Sequence, residues 1–109
     1  MKIKSARAKG KRLEQKVASL WRHKMKDMGI PTPGSGSGKF KGDVYNRYFT
    51  IEAKNQEKVK LWTWWEQAKN QVTFNKPPAL MISGNHRPIL VVMGIEDWLD
   101  LVKEAKHEK

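Results

Sequence analysis

The stretch from Leu13 to Met28 constrains the chain more than any other. Leu13, Val17, Leu20, Trp21 and Met28 recur at helical spacing, which predicts one amphipathic helix over roughly Lys9 to Met28. Gly29 and Pro31 supply its stop signal. Such a stripe must be buried against something. Next comes Pro31-Thr32-Pro33-Gly34-Ser35-Gly36-Ser37-Gly38, which is loop chemistry and can cover nothing. Only the segments beyond it can serve, so the Ser/Gly run is a loop inside one domain. A chain of 109 residues supports one modest core, not two.

Those later segments have their own periods. Asp43 to Asn55 reads as a β-hairpin, with Val44, Tyr45, Tyr48, Phe49, Thr50 and Ile51 as strand formers and Asn46-Arg47 as the turn. A helix over about Leu61 to Thr73 carries Leu61, Trp65, Ala68 and Val72 on one stripe, and Pro77-Pro78 closes that region. Ala79 to Ser83 and Ile89 to Met93 read as strands around the Gly84-Asn85-His86-Arg87-Pro88 turn. Ile95, Trp98, Leu99 and Val102 predict a final helix, with Glu96 and Asp97 at the positive end of its dipole. The order α-β-β-α-β-β-α predicts a single α/β domain over residues 1–109. A central mixed β-sheet is flanked by helices, with a basic and disordered arm at 1–8 and a Ser/Gly-rich loop at 31–42.

Charge narrows the partner. Lys and Arg number 22 against 11 Asp and Glu, a formal charge of +11. Lys2, Lys4, Arg7, Lys9, Lys11, Arg12 and Lys16 crowd the start, with Glu14 the one acid among them. A polyanion is the expected partner, nucleic acid before an anionic membrane surface. No apolar run approaches the roughly 20 residues that cross a bilayer, and no apolar segment follows the charged N-terminus. A cytoplasmic place is expected. The absence of cysteine excludes disulfides, thiolate zinc sites and Cys nucleophiles. His23, His86 and His107 show no ligand spacing.

The most informative pattern is Gly42-Asp43, eight residues, then Glu52-Ala53-Lys54. Residues two apart on a strand share a face. Glu52 and Lys54 therefore point one way, and Phe49, Ile51 and Ala53 the other way into a core. An even-numbered loop centred on Asn46-Arg47 pairs Asp43 with Thr50 and makes Asp43 and Glu52 diagonal neighbours, roughly 5.5–8 Å apart. That gap suits a cation held at roughly 2.1 Å per Mg–O bond. An odd loop would put Asp43 on the other face. Two such carboxylates repel unless something positive lies between them. An acidic pair on a basic protein is the arrangement needed to hold a metal beside a phosphodiester. Lys54 can orient the attacking water, act as its base or stabilise developing charge. By itself, a Glu-x-Lys triplet is common and describes an ordinary solvated strand face first; Gly-Asp at hairpin distance, the Ser/Gly loop and the basic balance turn the reading toward function.

The run Ser35-Gly36-Ser37-Gly38-Lys39-Phe40-Lys41-Gly42-Asp43, followed by Ile51-Glu52-Ala53-Lys54, resembles the PD-(D/E)xK nuclease signature. Within that superfamily it is most similar to the small Holliday junction resolvases of phages and archaea. The likeness spans nearly the whole chain, although Gly42 stands where the signature has Pro. It implies a restriction-endonuclease-like fold. It implies that Asp43 and Glu52 bind Mg2+ or Mn2+ with the backbone carbonyl of Ala53, that Lys54 is the catalytic lysine and that Glu14 adds a further acid. On residues alone, Glu14 reads first as a surface acid relieving Lys11 and Lys16. Gln67, on the second helix, matches a polar position near the lysine, or else lies on a solvated face. Ser35 and Ser37 in the Ser/Gly-rich catalytic loop would hydrogen-bond a DNA phosphate, or else belong to a flexible linker. With Lys39, Lys41, Arg7, Lys9, Lys11 and Arg12 they make up the expected DNA-binding set. His86 and Arg87 on their turn are further candidates for phosphate contact.

Gly38-Lys39 is not a nucleotide-binding P-loop, because Pro33 and Phe40 occupy positions that need Gly and Ser or Thr. No nucleotide cofactor is expected. Trp62, Trp64 and Trp65 cannot all enter one small core. Core packing is expected for Trp21, Trp65 and Trp98, and a dimer interface for Trp62 or Trp64, with stacking on an unpaired base as the second choice. The expected activity is metal-dependent cleavage of branched DNA by a homodimer that resolves four-way junctions. Other nucleases of the superfamily, nicking or restriction-type, and a non-catalytic basic nucleic-acid-binding module are the competing readings.

Overall fold

The computed structural model of the chain describes residues 6–32 and 42–107, with side chains from residue 8 onward. The elements run α1 (Ala6–Met25), β1 (Gly29–Pro31), β2 (Val44–Asn46), β3 (Thr50–Asn55), α2 (Leu61–Asn70), β4 (Pro78–Ser83), β5 (Leu90–Met93) and α3 (Ile95–His107). The five strands form one sheet in the order β1-β2-β3-β4-β5. Only β3 and β4 run parallel, in register from Thr50↔Pro78 to Asn55↔Ser83. The fold is the single α/β domain with a mixed sheet and flanking helices that the element order predicts.

Helix α1 starts and stops earlier than its stripe suggests. Ala6 to Ala8, assigned to a disordered arm on sequence, are helical. At the other end Lys26 takes a left-handed φ of 51° and closes the last turn. Gly29 does not end the helix but opens β1, a strand the sequence reading missed. A Cβ on Gly29 would lie 2.8 Å from Trp21 Cδ1, so glycine lets the indole press against the strand. Leu13, Val17 and Ala18 of α1 pack on Val44, Ile51, Ala53 and Ala79, with Trp21 and Phe49 at the border.

The opposite face of the sheet carries α2. Trp64, Ala68 and Leu80 are buried there, with Leu61, Trp65, Ile82 and Val92 packed around them. Two tryptophan expectations change accordingly. Trp64, not Trp65, is the most deeply buried at 3% exposure, and Trp98 is 52% exposed rather than in the core. The 3.6-residue period places both Trp64 and Trp65 near the stripe. The winner is the residue directly in line with Ala68 at i+4.

The hairpin register also differs from expectation. Val44 pairs with Ile51, where a turn at Asn46-Arg47 would have set Val44 opposite Phe49. The cause is Asn46, which is fully buried. Its Nδ2 donates to the carbonyls of Val44 and Phe49, and its Oδ1 accepts from the amides of Tyr48 and Phe49. Asn46 thus closes the turn from inside, an Asx-type closure, and moves the bend to Arg47-Tyr48. The shift is two residues, so every side chain keeps its face.

No helix among the described residues is long and apolar enough to cross a membrane.

Candidate active site

β2 and β3 part almost as soon as they meet, and the site forms in the opening. Gly42 takes φ 88°, and a Cβ there would stand 2.9 Å from the Ile51 carbonyl oxygen. Only glycine is tolerated in that turn, which accounts for Gly42 at this position. The turn delivers Asp43 alongside β3. Its amide donates to the Ile51 carbonyl at 2.7 Å, and its Oδ2 accepts the Ala53 amide hydrogen at 2.8 Å. Asp43 therefore straddles Glu52, held by the residues on either side of it.

Ile51 and Ala53 belong to the core cluster under α1. Glu52 and Lys54 alternate to the other face, as the strand period requires. Lys54 Nζ lies 3.8 Å from Glu52 Oε2, and the side chains are 24% and 12% exposed. A side-chain hydrogen bond between Glu52 and Asp43 raises the Glu52 carboxyl and lowers that of Asp43. Burial pushes the Glu52 carboxyl up from its ordinary value, and the Asp43 charge adds to that rise. Burial also raises Asp43, against the opposing pull of the Ala53 amide, the Glu52 hydrogen bond and the Lys54 ammonium.

Glu14 joins from α1. Burial raises its carboxyl to about 7, the Asp43 charge adds to this, and Lys11 opposes it. Glu14 also raises Glu52. Three acids from three elements thus feel one another's charge, with Lys54 and Lys11 as counterweights. Carboxyls that are half-buried and mutually repelling retain protons where isolated ones would not. Functional sites characteristically gather groups shifted in this way.

Among the described residues, no three His, Cys, Asp or Glu side chains form a ready-made metal cage. The donor set is instead a close carboxyl pair with Glu14 farther off. That set fits Mg2+ or Mn2+: the donors are hard oxygens, and Mg2+ characteristically takes one or two carboxylates while keeping several waters for a phosphate to replace. Burial raises both carboxyls of the Asp43–Glu52 pair, an effect that a cation between them would offset.

The other sequence candidates fare unevenly. Gln67 is exposed on α2 and makes no hydrogen bond with the cluster. Lys9 is half-buried, and Lys11 and Arg12 are exposed on α1. The Arg7 side chain, Ser35, Ser37, Lys39 and Lys41 lie outside the described residues. His86 and Arg87 are exposed on the β4–β5 turn. Sequence reasoning missed Asn46, which sets the register that puts Asp43 beside Glu52. A lone Asn followed by two aromatics was the available signal, since Asn side chains close turns on the amides that follow them.

Residues 5–109 match the family described as phage putative PDDEXK endonuclease. No curated protein and no solved structure matches the chain.

Proposed function

The chain belongs to the phage PDDEXK endonuclease family, and from that premise we propose that it hydrolyses DNA phosphodiester bonds as a Mg2+- or Mn2+-dependent, structure-selective endonuclease. Its most specific form is a homodimeric Holliday junction resolvase. The observation that carries the reading is the Asp43–Glu52 carboxyl pair with the Lys54 ammonium 3.8 Å from Glu52. A phosphodiester brings the cluster the negative charge that repels nucleophiles, and the chain answers with cations. Asp43 and Glu52 would hold the metal, with the Ala53 carbonyl as a further donor. When bound, the metal polarises the phosphoryl oxygen and lowers the pKa of water.

The remaining roles fall to the protein's own groups. Asp43 is fixed by the Ala53 amide, so its carboxylate keeps one direction. Lys54 orients the incoming water and stabilises charge on the phosphoryl oxygens. Glu14, raised to about 7, can hold or release a proton near neutrality. Lys9, Lys11 and Arg12 on α1 grip the backbone beside it, so affinity is strongly salt-dependent. Junction preference is supported by the motif resemblance, by the basic balance of the chain and by the economy of two-fold symmetry. Each 109-residue protomer offers one acidic cluster, and a dimer would present two at matched spacing to two like strands.

The test uses labelled four-way junction, linear duplex and single strand, each with and without Mg2+. Paired nicks in the junction alone, dependent on metal, support the resolvase. Cutting of all three substrates points to a general nuclease of the same superfamily. Tight binding with no cleavage in Mg2+ or Mn2+ leaves a basic binding module.

A further inference from the structure

Helix α3 turns its polar side to its own chain. Asp97, Asp100, Leu101 and Glu104 lie across a hollow from Trp21, Met25 and Phe49. Ile95, Trp98, Leu99 and Val102 fall roughly half a turn round the helix, on the outward side. They are 71%, 52%, 49% and 45% exposed, and no residue of α3 is buried. A 13-residue helix with nothing covering its apolar stripe is marginal in water.

A second uncovered apolar surface lies beside it. Helix α1 covers the β1–β3 side of one sheet face, and between it and the far strands a groove stays open. Leu20, Trp21 and Met25 form one wall, and Met81, Ile89 and Val91 the other. Val91 also lines the hollow that holds Ile95 and Trp98, so groove and stripe make one tract. Leu20, Met25, Val91 and the four stripe residues are each at least 45% exposed and together expose roughly 700 Å², more than the roughly 300–600 Å² patch of a typical monomer and near the roughly 800 Å² each partner buries in a stable complex.

Among the described residues, α3 does not close this tract on its own protomer. Gly94 alone separates β5 from α3, and the Trp98 amide already donates to the Gly94 carbonyl at 3.0 Å. The helix therefore begins at once, with no slack to fold back into the groove. Charge identifies the occupant. On a chain of +11, α3 sets Glu96, Asp97, Asp100 and Glu104 against Lys103 and Lys106. An acidic helix repels DNA. The groove is rimmed by the last turn of α1, where Arg22, His23 and Lys24 lie and Lys24 lines the opening.

We infer that α3 of each protomer packs its Ile95–Val102 stripe into the α1–β5 groove of a second copy, in a reciprocal two-fold exchange. This gives a surface to the homodimer of the proposed function. The readout is mass rather than cleavage, so the two readings can fail separately.

The full chain is examined by sedimentation velocity at high salt without DNA. The wild type should run at twice the 12.6 kDa of one chain. Leu99→Asp with Val102→Lys should run at one chain's mass, with association weakened at least about 100-fold and the cooperative urea transition of the Trp64 core retained, because both positions are exposed in the protomer. Trp62→Ala, on α2, should leave the dimer intact. The chain has no cysteine of its own, so Leu20→Cys protein mixed with Leu99→Cys protein should give a crossed disulfide on oxidation. A monomeric wild type, a dimer indifferent to the double substitution, a dimer lost with Trp62→Ala, or cross-linking of Leu99→Cys only to itself would each overturn the inference.

Discussion

The Asp43 carboxylate accepts the Ala53 amide hydrogen at 2.8 Å, where β2 has already left β3. A ladder bond that a neighbouring strand would have supplied comes instead from a side chain of the acidic cluster. The Asp43 carboxylate thus serves the strand through Ala53 and the acidic cluster through its hydrogen bond with Glu52.

Asp43→Asn and Glu52→Gln should each lower cleavage at least about a hundredfold, while DNA binding is kept or tightened because a negative charge is removed. Asn can still accept from Ala53, so the Asp43→Asn protein should fold. Cleavage assays beside binding titrations in Ca2+ check this. Full activity in either variant would disprove the metal assignment.

Lys54→Ala should slow single-turnover cleavage by roughly 10²–10³-fold with little change in affinity. Lys54 contacts Glu52 at 3.8 Å rather than lying on the exposed basic face. A loss confined to affinity would make Lys54 a phosphate anchor instead.

The raised carboxyls predict a pH dependence with a definite sign. Glu14 has an ordinary value of 4.5 and is raised to about 7 in the fold, so the folded state binds its proton more tightly. The associated stability is complete below about 4.5 and is lost as pH rises through about 7. In EDTA, the melting temperature of the wild type should therefore fall relative to Glu14→Gln between those limits. Added Mg2+ or Mn2+ should recover part of the loss. Parallel curves for the two proteins would show that Glu14 is not part of a coupled cluster.

Trp64→Ala should destabilise the fold by about 3–5 kcal/mol, since Trp64 is 3% exposed against Ala68 and Leu80. Trp62→Ala, at a position 75% exposed, should change stability by no more than about 0.5 kcal/mol. Urea denaturation of both separates core from surface on the same helix.

Lys11→Ala or Arg12→Ala should weaken DNA binding for every substrate alike and reduce the slope of log affinity against log salt by about one. Lys11 also opposes the rise of Glu14, so Lys11→Ala should in addition move the pH profile of cleavage upward, whereas Arg12→Ala should not.

The sequence disclosed the parts whose rules are local. Strand alternation put Glu52 and Lys54 on one face and Ile51 and Ala53 on the other, and the spacing of Ile95, Trp98, Leu99 and Val102 located α3. What stayed hidden depended on contacts between distant residues. The three-residue strand β1 has too few positions to show a period, and it forms because Gly29 admits Trp21. The true register followed from a buried amide at Asn46, whereas turn statistics favoured Asn46-Arg47 as the bend. Parity survived that error because the slip was two residues, so Asp43 still arrived at Glu52. Trp98 satisfies every helical criterion for burial, yet the described residues cover only about half of it.

The full-length pairing of β3 with β4 bears on how the cleft can adapt. Glu52 and Lys54 ride on a strand locked along one whole edge, from Thr50↔Pro78 to Asn55↔Ser83. Asp43 hangs from two hydrogen bonds on the other edge, and Glu14 comes from a separate helix. The cluster thus has a fixed jaw and a yielding one. Any widening to admit a bulkier strand, or tightening around a smaller ion, must come from the yielding side.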